Sequence, residues 1–273
     1  MSKVIVSANE KGGVGKTSLV YFLSTILVDK GYKVLLIDLD PQGDLNIVMN
    51  QSNLDYDIYD FLMKEQEFRA KMPVPNLYMV PGSRDMYDFP IDFPHKFPKT
   101  QKEMALKKLL ETEIKGVRIR DRVDFVFIDT PPNIKSLYID NAFMAADYVI
   151  SPCEAQPTSY AGVEMVVEIV KQFNEEWNPN LKFLGLIMNR VKIKTKLYES
   201  VRDTFYNTYG ELLFETAIRD LNVIQEVNAI PNATITTVDE IKLNHATVKI
   251  LKKNGALEDY EKLADEFLTR INK

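Results

Sequence analysis

Short apolar runs alternate with longer amphipathic stretches along most of this chain. Runs rich in Val, Ile, Leu and Phe are typical of strands buried on both faces, whereas apolar residues three and four apart predict helices. The alternation predicts an α/β fold with a twisted, mostly parallel sheet and helices on both faces. The predicted strands lie at about residues 3–8, 33–38, 77–80, 124–128, 147–151, 182–188 and 212–217. No repeat or break in composition divides the chain, so we expect one domain over residues 1–273.

The segment from Leu257 to Lys273 has a clear helical pattern with an apolar stripe opposite an acidic face. The stripe contains Leu257, Tyr260, Leu263, Ala264, Phe267, Leu268 and Ile271, and the acids are Glu258, Asp259, Glu261, Asp265 and Glu266. A membrane-surface helix carries Lys and Arg opposite its apolar face, and anionic lipid repels acids. We therefore expect this helix to pack on the sheet and the protein to have no membrane contact.

The region between about residues 50 and 102 has the weakest pattern. Tyr56–Leu62 predicts a short helix, and Met86–Pro98 predicts a loop rich in proline and phenylalanine. A loop of this length is often functional or forms a contact surface. The pattern does not distinguish a place beside a dimer interface from a site for a partner protein.

One glycine-rich turn lies between the first predicted strand and the first predicted helix. Its sequence is Lys11-Gly12-Gly13-Val14-Gly15-Lys16, followed by Thr17 and Ser18. Glycines let backbone N–H groups approach a polyphosphate at a helix N-terminus, Lys16 supplies charge for the β- and γ-phosphates, and the Thr17 hydroxyl is a Mg²⁺ ligand. This arrangement predicts a phosphate-binding loop. Its first glycine is replaced by Glu10, and Lys11 is a second lysine at the start of the loop.

Two further predicted strands end in carboxylates. Asp38 and Asp40 follow the apolar run 34–37, and Asp129 follows 125–128. Because open α/β sheets bind ligands at the carboxyl ends of their strands, these acids are candidates for holding Mg²⁺ directly or through water. For Asp38, capping of the next turn is an equally good interpretation.

These motifs resemble those of the ParA/MinD family of deviant Walker-type ATPases, and within it the ParA-like DNA-partition ATPases. The matching stretches are residues 9–17, 38–43 and 128–132, with weaker matches at 141–142, 145–147, 255–256 and 260. The resemblance covers nearly the whole chain and implies an ATPase with ATP and Mg²⁺ as cofactors.

The resemblance also implies a role for each motif residue. Lys11 would reach across a dimer interface to the partner's nucleotide, Lys16 would bind the β- and γ-phosphates, and Thr17 would bind the metal. Asp40 would orient the attacking water, with a possible water-mediated contact to the metal, and Asp129 would hold the metal through a water. Lys11, Lys16 and Asp40 would thus be catalytic. The nucleotide-binding residues would be Lys11, Gly12, Gly13, Val14, Gly15, Lys16, Thr17, Ser18 and Asn189.

Asn189 ends a predicted strand at the position where family members hydrogen-bond the adenine edge. The alternative is an asparagine that satisfies the following turn. Family members often carry Ile-Pro after the next strand, whereas this chain has Ala217-Ile218-Arg219-Asp220. The other side of the base pocket is therefore left open.

The net charge of −5 does not favour nucleic-acid binding, but basic residues cluster locally. Residues 182–202 contain six basic residues and one acid, and a predicted helix after the capping-box sequence 237–240 would carry Lys242, His245, Lys249 and Lys253 on one face. Such faces contact phosphates without reading bases. The candidate DNA-binding residues are Lys192, Lys194, Lys196, Lys242, Lys249, Lys252 and Lys253. A solvated helix face, or an edge strand protected by lysines at 192–196, is the alternative.

The resemblance implies a partition ATPase that dimerises on ATP, binds double-stranded DNA without sequence preference, and hydrolyses ATP when a ParB-like centromere-binding partner stimulates it. The single cysteine, Cys153, is expected to be a small buried residue, and one cysteine suits a reducing cytoplasm. The resemblance implies that the cytoplasmic protein is nucleoid-associated. The chain begins at the nucleotide loop, so no N-terminal helix-turn-helix domain is expected. A MinD-like membrane-associated positioning ATPase and a small-molecule ATP-dependent enzyme of the same fold are the alternatives. Plasmid or chromosomal cargo, partner identity and filament formation are left open.

Overall fold

The structure, a computed structural model, describes residues 2–49, 55–64, 66–96, 104–220 and 256–272. Its strands are β1 (Lys3–Ser7), β2 (Val34–Asp38), β3 (Lys71–Val74), β4 (Leu77–Val80), β5 (Glu113–Ile114), β6 (Val117–Arg118), β7 (Phe125–Asp129), β8 (Tyr148–Cys153) and β9 (Lys182–Met188). Its α-helices are α1 (Lys16–Asp29), α2 (Asp44–Val48), α3 (Ile58–Met63), α4 (Phe89–Lys96), α5 (Ala105–Glu111), α6 (Leu137–Ala145), α7 (Ser159–Glu176), α8 (Lys196–Tyr209) and α9 (Ala256–Ile271).

Seven strands form one sheet in the order β3-β4-β2-β7-β1-β8-β9, and β5 and β6 form a small hairpin. All neighbours in the large sheet are parallel except β3, which runs antiparallel to β4. The predicted α/β fold is therefore confirmed. In the register of β2 with β7, Asp38 lies beside Asp129, and Ser7 of β1 lies on the other side of Asp129. The predicted acids thus meet at one edge of the sheet.

The helix α1 is buried along almost its whole length, between the sheet and α9. The apolar stripe of α9 packs as its pattern predicts, with Phe267 against Phe125 and Phe127 at ring-centroid distances of 5.7 Å. Tyr260 packs against Phe22 of α1 with the two rings tilted by 31° and their centroids 4.7 Å apart. The helix that follows the phosphate loop is therefore fixed from both sides.

Two regions differ from the predicted strands. The predicted strand at 212–217 is absent: Gly210–Leu212 is a 3-10 turn, and Leu213 makes only an isolated bridge to Leu186. The strand β3 was not predicted, because Lys71 and Met72 are exposed and Pro73 interrupts the pattern.

The predicted proline-rich loop is also largely helical. Residues 84–87 form a 3-10 turn, and α4 follows with Pro90 in its first turn, where a missing N–H costs little. Phe89 and Phe93, one turn apart, are buried with ring centroids 4.7 Å apart. Burial of this pair explains a helix in a proline-rich sequence. Phe97 and Pro98 lie outside the described residues.

The edge-strand interpretation of residues 192–196 is wrong. Lys192 and Lys194 lie in a turn, and Thr195 caps α8 by accepting a hydrogen bond from the N–H of Tyr198 at 3.2 Å. Threonine is a favoured N-cap because its hydroxyl satisfies an N–H that has no partner within the helix. Lys196 is therefore the first residue of a helix.

Cys153, the last residue of β8, has no solvent exposure. Burial raises the pKa of its thiol to about 12. Its predicted role as a small buried residue is confirmed.

Candidate functional site

The glycine-rich turn joins β1 to α1 and ends in two glycines with left-handed backbones. Gly13 has a φ of 76° and Gly15 a φ of 88°, values that side chains with a Cβ rarely adopt. A Cβ on Gly15 would also lie 2.3 Å from Nδ2 of Asn189. Among the described residues no side chain caps the first N–H groups of α1, and the turn lines a cleft. This is the arrangement that binds phosphate at a helix N-terminus.

Lys16 lies almost completely inside the turn, with only 7% of its surface exposed. Its Nζ lies 3.4 Å from the carbonyl oxygen of Asn9. Burial lowers the pKa of Lys16, and the nearby Asp129, Asp40 and Glu10 oppose that effect. The site therefore holds a dehydrated ammonium group, which would gain strongly from an anionic ligand.

Asp129 and Thr17 face each other beneath the turn. The Thr17 hydroxyl donates to Oδ2 of Asp129 at 2.6 Å, while the buried Oδ1 has no hydrogen-bond partner among the described residues. Burial raises the pKa of Asp129 to about 7, although Thr17 and Lys16 both favour its ionised form. A buried carboxylate oxygen without a partner, beside a threonine hydroxyl, fits a hydrated divalent cation.

Asp38 lies beside Asp129 and is fully buried. Its Oδ1 accepts a hydrogen bond from the Asp40 N–H at 2.9 Å, which supports the turn-capping interpretation. Burial raises the pKa of Asp38 well above its ordinary value, and the Asp129 charge adds to that effect. Asp38 therefore shapes the turn that presents Asp40.

Asp40 lines the cleft next to Lys16. It is 9% exposed, and its Oδ1 accepts the backbone N–H of Gln42 at 2.9 Å. Burial also raises the pKa of Asp40, against the effects of the Gln42 hydrogen bond and of Lys16. The carboxylate is thus held in place at the wall of the cleft.

Lys11 does not line the cleft formed by its own chain. Its Nζ donates to Oε2 of Glu154 at 2.9 Å and to Oε1 of Gln156 at 2.8 Å. The sequence interpretation did not identify Glu154 and Gln156 as functional, although their position just after β8 was a signal for the ligand-binding edge of the sheet. Lys11 is therefore at the loop, but its ammonium group points to the rim.

The cleft has a volume of about 570 Å³ and extends from the turn to α9. Its lining residues are Gly12, Gly13, Gly15, Lys16, Thr17, Ser18, Asp40, Gln42, Asp44, Ile47, Val48, Pro132, Asn189, Arg190, Arg219, Asp220 and Tyr260. The predicted Ser18 is among them, while Val14 is buried and its carbonyl faces Asn189. Of the predicted nucleotide-binding residues, Gly12, Gly13, Gly15, Lys16, Thr17, Ser18 and Asn189 line the cleft, and Lys11 and Val14 do not.

Asn189 follows β9 and lies against the glycine-rich turn, where it also lines the cleft. Its Nδ2 donates to the Val14 carbonyl at 2.8 Å, and its buried Oδ1 has no partner among the described residues. The side chain satisfies a backbone group, as in the turn interpretation, but that group belongs to the phosphate loop. The acceptor Oδ1 remains available for a ligand.

The seven candidate DNA-binding lysines fall into two groups. Lys192, Lys194 and Lys196 are exposed around the start of α8, outside the cleft. Lys242, Lys249, Lys252 and Lys253 lie outside the described residues, as does His245. Within the ranges that the structure describes, no helix is sufficiently long and apolar to cross a membrane.

At pH values where Asp129 is ionised, we expect its burial to destabilise the protein without ligand. Between pH 4 and pH 7 the folded chain retains a proton that the unfolded chain has released, so the free energy of unfolding falls as the pH rises from about 4 to about 7. Asp129→Asn removes this effect. It should therefore stabilise the protein more at pH 8 than at pH 5, by on the order of 2–3 kcal/mol. Urea denaturation at the two pH values measures the difference.

The exposed Asp203→Asn on α8 is the matched control for this experiment, because it makes the same substitution away from the cleft. An Asp129→Asn variant whose gain is the same at pH 5 and pH 8 would contradict a raised pKa at Asp129.

Comparisons with known proteins agree with this geometry. A family model described as an AAA domain matches residues 2–183. The chromosome-partitioning ATPase Soj of Treponema pallidum is 29% identical over 221 residues, which are 80% of this chain and 83% of that protein.

Two solved structures are similar in fold. The cobyrinic acid a,c-diamide synthase of Mycobacterium smegmatis, solved with bound ADP and magnesium, has a TM-score of 0.71 at 25% identity and covers 85% of this chain and 94% of that chain. A plasmid partition protein of Borrelia burgdorferi has a TM-score of 0.66 at 23% identity and covers 93% of this chain and 99% of that chain.

Proposed function

This chain belongs to the ParA/MinD family of deviant Walker-type P-loop ATPases, and on that basis we propose that it is a ParA-like partition ATPase. ATPase activity follows from the family. The finer steps of the proposal are ATP-dependent dimerisation, binding of double-stranded DNA without sequence preference, and stimulation of hydrolysis by a ParB-like centromere-binding protein. The protein would act in the cytoplasm at the nucleoid.

The residues present in the cleft fit Mg·ATP. The uncapped N–H groups of α1 and the ammonium of Lys16 suit the phosphates, and the unpartnered Oδ1 of Asn189 suits the amino group of adenine. Thr17 would hold Mg²⁺ directly and Asp129 through a water, with Asp40 as a second water-mediated contact. When bound, the metal neutralises negative charge on the phosphates.

Phosphoryl transfer needs positioning and charge neutralisation more than covalent chemistry. Lys16 would supply a charge close to the transferred group, in a buried setting where electrostatic effects are stronger than in water. Asp40, fixed by the Gln42 N–H, would orient the attacking water. These residues of one chain would supply binding and orientation, and Lys16 is the lysine among the residues that line the cleft.

The observation that carries the dimer proposal is the position of Lys11. Its ammonium lies at the rim of the cleft and contacts Glu154 and Gln156, so it does not reach the phosphate site of its own chain. A cation at the rim is well placed to enter the cleft of a second copy. It would then act on the partner's nucleotide as an arginine finger does, and ATP binding would be coupled to dimerisation.

We expect Lys11→Ala to retain ATP affinity but to lose ATP-dependent dimerisation and at least about tenfold in turnover, because the missing charge acts in trans. Equilibrium titration and sedimentation velocity with a non-hydrolysable ATP analogue measure the two properties separately. Lys171→Ala, which removes an exposed lysine on α7, should behave as wild type. Dimers of Lys11→Ala with unchanged stability would contradict a trans role.

DNA binding would use phosphate contacts of Lys192, Lys194 and Lys196, together with Lys242, Lys249, Lys252 and Lys253 beyond the described residues. Contacts to phosphate alone carry no sequence preference and weaken steeply with salt. Co-sedimentation with DNA, with and without ATP and over a salt series, tests this step. Combined Lys249→Glu and Lys253→Glu should lower DNA affinity while basal ATPase activity persists; undiminished binding at moderate salt would contradict the assignment.

A small-molecule ATP-dependent enzyme is the second candidate, because the diamide synthase of Mycobacterium smegmatis matches this fold at 25% identity. The two candidates differ in what stimulates hydrolysis. DNA with a centromere-binding partner should stimulate a partition ATPase, whereas a metabolite should stimulate the enzyme. A parallel co-sedimentation with anionic liposomes tests the MinD-like alternative, which the exposed acids Glu258, Glu261 and Asp265 of α9 disfavour.

A further inference from the structure

Arg219 is held in a single orientation by Asp259 of α9. Its Nε donates to Oδ2 of Asp259 and one terminal nitrogen to Oδ1, both at 2.7 Å, and the Arg219 backbone N–H donates to Oδ2 at 3.1 Å. Asp259 is 7% exposed, and the Arg219 side chain is 30% exposed. Paired hydrogen bonds of this kind fix the plane of a guanidinium group. Arg219 therefore presents a rigid, flat surface.

The segment that carries Arg219 is hydrogen-bonded to the strand end that carries Asn189. The Ile218 N–H donates to the Met188 carbonyl, and the Asp220 N–H donates to the Val191 carbonyl, both at 2.9 Å. Val191 in turn donates to Ile218 at 3.0 Å. Arg219 thus lies next to the strand end that carries Asn189, and both residues line the cleft.

The two ends of the cleft suit different parts of a ligand. At the phosphate end, the buried Lys16 has only partial compensation of its charge. At the other end, the Arg219 charge is paired with Asp259, so a further anion would gain less there. A paired, planar guanidinium is well suited to stacking on an aromatic ring, and Arg does this more readily than Lys.

We propose that Arg219 forms the second wall of the base pocket and stacks on the adenine ring, while Oδ1 of Asn189 accepts from the exocyclic amino group. This inference rests on the proposed ATP site and adds a determinant of base recognition to it. Arg219 occupies the side of the pocket that the sequence comparison with the family left open. Asp259 acts as a positioning residue, because it holds the guanidinium plane and does not itself line the cleft.

The test compares two ligands that share the phosphate end but differ at the base end. Mg·ATP and magnesium tripolyphosphate are titrated calorimetrically into wild-type protein, Arg219→Ala and Arg219→Lys. Loss of a stacking cation should weaken ATP binding by about tenfold in both variants and change tripolyphosphate binding by less than about twofold. The lysine introduced by Arg219→Lys keeps a positive charge beside Asp259 but lacks the planar guanidinium group. This variant therefore keeps the test valid if Arg219→Ala folds poorly.

Asp259→Asn is the matched variant for the positioning role. It should weaken ATP binding by about threefold, less than either Arg219 variant does, because the guanidinium remains but its plane is no longer fixed. Lys16→Ala is the control for the phosphate end and should reduce binding of both ligands.

Two results would overturn the inference. Equal weakening of ATP and tripolyphosphate in the Arg219 variants would mean that Arg219 only supports the fold, and unchanged ATP binding would mean that no stack forms. Either result would leave the proposed ATPase untouched. If wild-type protein binds ATP no more tightly than tripolyphosphate, there is no base pocket and Arg219 has no role in one. Absence of DNA-stimulated hydrolysis would count against the partition function alone.

Discussion

Replacing Lys16 with alanine is expected to abolish Mg·ATP binding, with a loss of at least about 100-fold in affinity. Lys16 is 7% exposed, and three acids lie close to it. Without its ammonium group, the phosphates would enter a site that retains Asp129, Asp40 and Glu10 and has lost a buried positive charge. A charge-assisted hydrogen bond in such a setting contributes about 2–3 kcal/mol or more.

Calorimetric titration of ATP measures this loss, and thermal unfolding without ligand shows whether the variant is folded. Lys171→Ala on the exposed face of α7 is the matched control. It also removes one positive charge, but from a lysine that does not line the cleft. A folded Lys16→Ala variant that binds Mg·ATP within threefold of wild type would refute the assignment of the phosphate loop.

Replacing Asp40 with alanine or asparagine should leave ATP binding nearly intact and reduce turnover by at least about 100-fold, which is about 3 kcal/mol in the barrier. The carboxylate lines the cleft, and a backbone hydrogen bond fixes it. Without it, the attacking water would lose its orienting acceptor. ATP-loaded dimers should therefore accumulate, which single-turnover kinetics and sedimentation would detect.

The asparagine variant separates charge from shape. The amide introduced by Asp40→Asn retains an oxygen that can accept the Gln42 N–H, so the turn should be preserved while the negative charge is lost. Both variants should be similarly slow if the charge matters. An Asp40→Asn protein that hydrolyses ATP at the wild-type rate would remove Asp40 from its proposed role.

The parts of the site that were predictable from sequence are local. The phosphate loop is a continuous run of residues whose spacing determines its backbone, and Asp38, Asp40 and Asp129 each follow an apolar strand. The stripe of α9 was also readable, because seven apolar residues at helical spacing leave one face to bury. In each case a short stretch of chain contains the whole signal.

The parts that were not predictable depend on contacts between distant residues. Lys11 and Glu154 are 143 residues apart, and Arg219 and Asp259 are 40 apart. Neither pairing leaves a pattern in a single sequence. The prediction of a strand at 212–217 was wrong for a related reason. The backbone N–H groups of Phe214 and Ile218 donate single hydrogen bonds to β9, and the segment forms no continuous strand ladder. Its apolar residues are therefore buried without strand pairing.

The buried thiol of Cys153 has a practical consequence for measuring the proposed dimerisation. A thiol with a pKa of about 12 and no exposed surface reacts very slowly with maleimides while the protein is folded. Since Cys153 is the single cysteine of the chain, a new cysteine at an exposed position would be labelled selectively without altering β8. Donor and acceptor dyes on separate batches of such a protein would then report subunit exchange directly, in an otherwise native background.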